Sequence, residues 1–267
     1  MCYDISFTSK IKKIAEYLPG INKKLVEELD SVFTPIAHQI GQSFATWPTI
    51  IAEKNDLLIK PLEWGLIAPY MNTAASIKKH RPLMLNARSE KLLDSASFWY
   101  KIRQNRCLIP VTGFYEHRAI KGLKNKVPYF ISRTNQDIMF LAGLYHYSPL
   151  PHPETGAAVG TFTILTQPAN ELLAAIHNSG EHSSRMPLQF PNGMAEQWLN
   201  PSLSDSEIQS MIPFSFPSDA LRASPVYTIR GAKTRPDGKA KFEEYPYKGL
   251  PDIFEAALIK PANSLLF

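Results

Sequence analysis

The sequence predicts an α+β protein built as one domain. Strand-length runs of apolar, aromatic and β-branched residues fill its middle, helical periodicity lies toward the two ends, and no internal repeat or low-complexity linker divides it. Its 267 residues, 44% of them hydrophobic, are enough to bury a full core.

Taken in order, residues 9–30 place Ile11, Ile14, Leu18, Leu25, Val26 and Leu29 at three-to-four spacing, with Pro19-Gly20 between the two groups. That pattern predicts a broken helical segment whose apolar stripes face the core. Residues 31–67 are rich in aromatic and β-branched side chains cut by prolines, which predicts several short strands. Further strands are expected at 107–116, 127–133, 138–146 and 160–166. Residues 168–177 read as a helix with Pro168 in its first turn and Leu172, Leu173 and Ile176 on one face. Ser204-Asp205-Ser206-Glu207 is a capping-box pattern, opening a short helix to about residue 212.

No stretch approaches the roughly 20 apolar residues that span a bilayer, and the first residues lack the apolar run of a signal peptide. The expectation is a soluble, cytoplasmic monomer that needs no membrane. Two cysteines far apart give no disulfide framework, and Cys107 sits in an apolar run that reads as a buried strand. They also lack the spacing of a zinc site, so neither metal nor cofactor is expected. The net charge of +5 favours a polyanionic partner, weakly.

Chemistry enters with Cys2, directly behind the initiator methionine. A small second residue permits removal of Met1, which exposes an amine with a pKa of about 7.7 to 8.0 beside a thiol of about 8.5. Both can attack one carbon: with an aldehyde the amine forms an imine and the thiol closes a five-membered thiazolidine. A small buried hydrophobe is the competing reading of Cys2.

Four further segments accompany it: Trp64-Gly65-Leu66-Ile67; Asn86-Ala87-Arg88-Ser89-Glu90; the run from Arg106 through Gly113-Phe114-Tyr115-Glu116; and Ile176-His177 followed, after an insertion, by Arg185-Met186-Pro187. In this order, with Met1-Cys2-Tyr3, they resemble the SRAP (SOS response-associated peptidase) family over roughly residues 1–230. The resemblance implies a compact antiparallel core like a β-barrel with peripheral helices over 1–230. Residues 231–267 would form a C-terminal extension packed on or trailing from the same domain. It also implies a covalent crosslink to abasic sites in single-stranded DNA through Cys2. Release of Met1 would follow either by autoproteolysis or through an ordinary aminopeptidase.

By the same resemblance Cys2, Asn86, Glu116 and His177 are the catalytic candidates. Glu116 ends an apolar run, where burial would raise its pKa toward the range of a general acid; the alternative is a solvent-facing strand end. His177 is a second proton carrier near neutrality. Asn178 to Ser184 separate it from the Arg-Met-Pro segment where the family has a short spacing, so His182 is the alternative, expected as an exposed loop residue if the insertion loops outward. Asn86 can orient the Cys2 amine or the sugar oxygen, or simply make a turn. For DNA the candidates are Arg88 and Arg185 on phosphates and Trp64 on a base. A salt bridge from Arg88 to Glu90 and a core position for Trp64 compete with those roles. Two departures stand near the site: Asp4 where the family carries arginine, and His117 where it carries tryptophan. A thiol hydrolase and a non-covalent DNA-binding module are the other function classes compatible with these residues.

Overall fold

The computed structural model describes residues 2–54, 56–231 and 234–254; Met1 and the last part of the expected extension, 255–267, lie outside the described residues. In chain order the strands are β1 (Asp4–Phe7), β2 (Ile36–Ile40), β3 (Thr46–Glu53), β4 (Asp56–Trp64), β5 (Asn86–Arg88), β6 (Arg106–Val111), β7 (Gly113–Arg118), β8 (Val127–Arg133), β9 (Met139–Tyr147), β10 (Gly160–Pro168), β11 (Arg185–Pro187), β12 (Gln189–Phe190) and β13 (Leu221–Pro225). The helices are α1 (Ile14–Tyr17), α2 (Lys23–Val32), α3 (Ala74–His80), α4 (Phe98–Lys101), α5 (Glu171–Ile176), α6 (Asn192–Trp198) and α7 (Asp205–Met211).

The strands form two sheets. One is antiparallel throughout, in the order β13-β8-β7-β1-β2. In the other, β10, β4, β3, β6 and β9 pair in turn and β9 pairs back onto β10, which closes a ring of strands. Its pairings are antiparallel except at β10, which runs parallel to β4 over two residue pairs and to β5 over three. This α+β architecture with helices outside the sheets is the one the sequence predicts.

The chain passes between the sheets at Thr112. The single strand expected over 107–116 is therefore two, with β6 in the ring and β7 in the other sheet. Packing at that crossing requires Gly113: a Cβ there would run into the Phe130 ring and lie 2.6 Å from the Ile131 carbonyl oxygen. The core lies between the sheets, with Phe7, Phe114, Phe140 and Phe162 fully buried. Each such side chain contributes about 1.5 to 3 kcal/mol relative to exposure. Three buried tryptophans satisfy their indole N–H groups on backbone carbonyls, Trp47 on Pro110, Trp64 on Leu85 and Trp198 on Cys107.

The helical segment at 9–30 is broken where expected, between Tyr17 and Lys23, and Asn22 caps α2 by accepting from the Leu25 N–H. Ser204 and Glu207 form the reciprocal capping box of α7. The helix expected at 168–177 is shorter. Pro168 ends β10 rather than opening the helix, and Asn170 caps α5 through the Leu173 N–H.

Candidate active site

Strand β1 delivers the amino terminus to the site. It pairs antiparallel with β7 through Ile5 with Phe114 and Ser6 with Gly113, a register that brings Tyr3 level with Glu116. Glu116 lies two residues beyond the buried Phe114, hence on the same inward face of β7, and is 5% exposed. From the ring sheet, β5 brings Asn86 alongside Ile164 of β10. The end of α5 supplies His177, whose backbone N–H closes the helix on Leu173.

These side chains meet. Asn86 Nδ2 donates to the Cys2 carbonyl oxygen at 2.8 Å, while Asn86 Oδ1 is buried with no hydrogen-bond partner among the described residues. Glu116 Oε2 stands 4.0 Å from His177 Nε2. The other ring nitrogen, Nδ1, lies 2.9 Å from the Arg185 carbonyl oxygen. A carbonyl only accepts, so Nδ1 carries the proton and Nε2 presents its lone pair toward Glu116. Cys2 is fully buried in the unprocessed chain, with its thiol 3.9 Å from the Asp4 carbonyl oxygen.

Burial sets the electrostatics in opposite senses for the acid and the base. Desolvation pushes Glu116 up to about 8 and His177 down to about 4, so near pH 7 the carboxyl holds its proton and the imidazole is neutral. Their 4.0 Å contact is thus one between two neutral groups, not an ion pair. The Cys2 thiol is raised well above its usual range, first by burial and then by the neighbouring Glu116. Asp4, 2% exposed, behaves differently. Burial would raise it, but hydrogen bonds from His38, at 2.7 Å, and from Arg230, at 3.1 and 2.5 Å, outweigh that and lower it.

Tyr3, Asp4, Glu116, His177 and Arg230 line a pocket of about 310 Å³, together with Lys126 and Ser179. Arg230, Lys126 and Tyr3 were absent from the sequence-based candidates. Arg230 carries no motif, and Lys126 is the last cation of a lysine-rich stretch that reads as ordinary solvated surface.

The DNA-contact candidates fare unevenly. Trp64 is 1% exposed and lies nearly parallel to Phe162, ring centroids 6.1 Å apart, so the base-stacking role is withdrawn in favour of a core position. Arg185 is also internal: it grips Glu90 bidentately at 2.7 Å and spends further donors on Thr166, leaving no open fork for a phosphate. Glu90 therefore pairs with Arg185, not with Arg88. Arg88 is exposed at the end of β5. The insertion 178–184 loops out and returns, since the Ser184 N–H donates to the His177 carbonyl oxygen at 2.7 Å. His182 in that loop is half-buried, not exposed, and does not line the pocket. His117 is half-buried and lowered by that burial.

Known proteins resemble this chain in sequence and in fold. The chain is 31% identical over 181 residues to the abasic site processing protein YoqW of Bacillus subtilis, spanning 68% of this chain and 75% of that one. It is 30% identical over 182 residues to YobE of the same organism, an abasic site processing protein by name, spanning 68% and 76%. A solved protein from Bacteroides thetaiotaomicron superposes with a TM-score of 0.72 at 29% identity, over 91% of this chain and 97% of that one. Residues 1–229 match the SOS response associated peptidase (SRAP) family, and the chain belongs to that family.

Proposed function

We propose that this protein processes abasic sites in single-stranded DNA by crosslinking to them covalently through Cys2 once Met1 has been removed. The observation that carries the reading is the Glu116–His177 pair: a protonated carboxyl and a neutral imidazole base 4.0 Å apart, beside a Cys2 held by Asn86. Abasic deoxyribose is mostly a closed hemiacetal, and opening it needs a proton delivered to the ring oxygen and another taken from the anomeric hydroxyl. Glu116 delivers the first and His177 Nε2 accepts the second, which leaves an open aldehyde.

The Cys2 amine then adds to that aldehyde carbon to give a carbinolamine. Protonation of its hydroxyl by the imidazolium expels water and gives an iminium, whose N–H proton passes to the Glu116 carboxylate to leave an imine and restore both groups. The thiol adds across the C=N bond, sulfur to carbon and proton to nitrogen, and the thiazolidine closes. Asn86 fixes the Cys2 backbone through Nδ2, and its buried Oδ1 is the acceptor we assign to the amine. A thiol well above its usual range is a poor thiolate, which counts against a thiol hydrolase and suits an amine-first route. The names of the relatives, abasic site processing proteins, support the same substrate class.

The test is incubation of mature protein with an abasic single-stranded oligonucleotide. A denaturation-resistant band, lost in Cys2→Ala and in protein retaining Met1, is expected. Cys2→Ala that still forms the band would overturn the reading.

A further inference from the structure

The pocket is open on one side. His117, Lys126 and Arg230 line it and also line a larger cavity of about 730 Å³, so the two share a wall. The second cavity runs along the β7–β8 hairpin, and Lys124, Tyr227 and Tyr247 are among the residues that line it. Its lining combines cations with aromatic side chains, the chemistry that holds a nucleotide by its phosphate and its base.

Arg230 stands at the junction. Its Nε and Nη2 are committed to the buried Asp4, which His38 holds from behind, yet its side chain is 43% exposed. Asp4 thereby fixes the direction of the guanidinium and cancels its charge. The surplus positive charge over the groove comes from Lys124 and Lys126, both exposed.

The aromatic part of the lining is equally well built. Tyr227, Tyr245 and Tyr247 contact one another in sequence, with centroids 4.9 and 5.2 Å apart, and the Tyr247 hydroxyl donates to the Val226 carbonyl oxygen at 2.9 Å. Arg235, 7% exposed, sits 5.5 Å from the Tyr245 ring centroid and donates to the Ala240, Glu243 and Glu244 carbonyls. Tyr245, Tyr247 and Arg235 all lie past residue 229, beyond the family-matched span. The part of the groove lining that carries Tyr247 thus lies past that span.

We infer that the groove receives the nucleotide next to the abasic sugar, its phosphate on Lys124 and Lys126 and its base against Tyr227 and Tyr247. This rests on the crosslinking reading above for the position of the abasic sugar itself.

The experiment uses single-stranded oligonucleotides with one abasic site, either internal or at the 5′ or 3′ end. Removing the neighbour on one side should raise the half-saturating concentration for crosslinking roughly tenfold, the scale of one lost base stack. Removing it on the other side should change little. Tyr227→Ala and, separately, the exposed Lys124→Ala should impose their losses on the internal site, and these losses should shrink below about twofold on the end that lacks the grooved neighbour. Equal losses on all three substrates, or none on any, overturn the groove.

A second readout needs no chemistry. An oligonucleotide carrying a tetrahydrofuran abasic analogue, which has no aldehyde, with 2-aminopurine beside it should show quenching in the wild type that Tyr227→Ala relieves. Quenching without any crosslink on true abasic DNA would sink the crosslinking function and keep the groove. Crosslinking with no quenching on either side would do the reverse.

Discussion

Glu116 Oε2 and His177 Nε2 face each other across 4.0 Å with their proton affinities driven apart, the acid up to about 8 and the base down to about 4. A single cause, burial, acts on both, because desolvation penalises whichever form is charged. Two groups that would form an ion pair in water are here a proton donor and a proton acceptor poised at neutral pH.

The crosslinking rate should therefore pass through a maximum near pH 8. It falls below that as the Cys2 amine, near about 7.7 to 8.0, protonates, and above it as Glu116 loses its proton at about 8. Glu116→Gln should slow the reaction roughly 10² to 10⁴-fold and abolish the descending alkaline limb. Single-turnover rates from pH 5.5 to 9.5 check both; an alkaline limb unchanged in Glu116→Gln would remove Glu116 from the mechanism.

Folding stability carries the same signature with a definite sign. Native Glu116 keeps its proton to about pH 8, whereas an unfolded glutamate releases it near about 4.3, so this group makes stability fall as pH rises between those values. Native His177 stays neutral down to about 4, whereas an unfolded histidine protonates near about 6.5, so this group makes stability fall as pH drops through that window. The two slopes oppose each other below about pH 6.5, and only the Glu116 slope survives from there to about 8. Urea melts should show Glu116→Gln gaining on the wild type as pH goes from 6.5 to 8, and His177→Gln gaining as it goes from 6.5 to 4.5.

Asn86→Ala removes the 2.8 Å bond to the Cys2 carbonyl oxygen. One such bond contributes about 1 kcal/mol, more where the abandoned carbonyl stays buried. The variant should melt slightly earlier and crosslink at least tenfold more slowly, with DNA affinity unchanged as read by binding of a non-reactive abasic analogue.

Much of this fold is legible in the sequence because period and capping chemistry are local. The three-to-four stripe of Ile11, Ile14 and Leu18, the Ser204–Glu207 capping box and the long apolar runs of β8, β9 and β10 each announce themselves within a few residues. Strands as short as β5 or β12 complete no period, and pairing with β10 or β9 makes them strands. Pro168, expected in the first turn of a helix, instead ends a strand, because three residue pairs to β11 extend β10 that far. At the site, the motif positions of Cys2, Asn86, Glu116 and His177 are visible in one dimension. The partners of Arg185 and Asp4 are not, since Glu90 lies 95 residues from the first and Arg230 226 residues from the second.

Gly113→Ala tests the sheet crossing next to Glu116. Its Cβ would press on the Phe130 ring and the Ile131 carbonyl, which is backbone and cannot rotate away. Overpacking of this kind costs about 1 to 3 kcal/mol. The midpoint of denaturant unfolding should drop accordingly, and crosslinking should weaken through displacement of β7.

Arg88 and Arg185 separate DNA binding from architecture. Arg88 is exposed at the end of β5, so Arg88→Ala should reduce the salt dependence of DNA binding by roughly one phosphate contact and leave stability within about 0.5 kcal/mol. Arg185→Ala should do the opposite. It strands Glu90 and the Thr166 carbonyl, costing up to about 3 kcal/mol with allowance for the partly exposed Glu90. It also loosens the backbone carbonyl that holds His177 Nδ1, so the crosslinking rate should fall while the salt slope stays that of the wild type. Binding titrations from 50 to 300 mM salt, beside thermal melts of both variants, read the two effects independently. A flattened salt slope in Arg185→Ala with unaltered stability would return that guanidinium to the DNA surface.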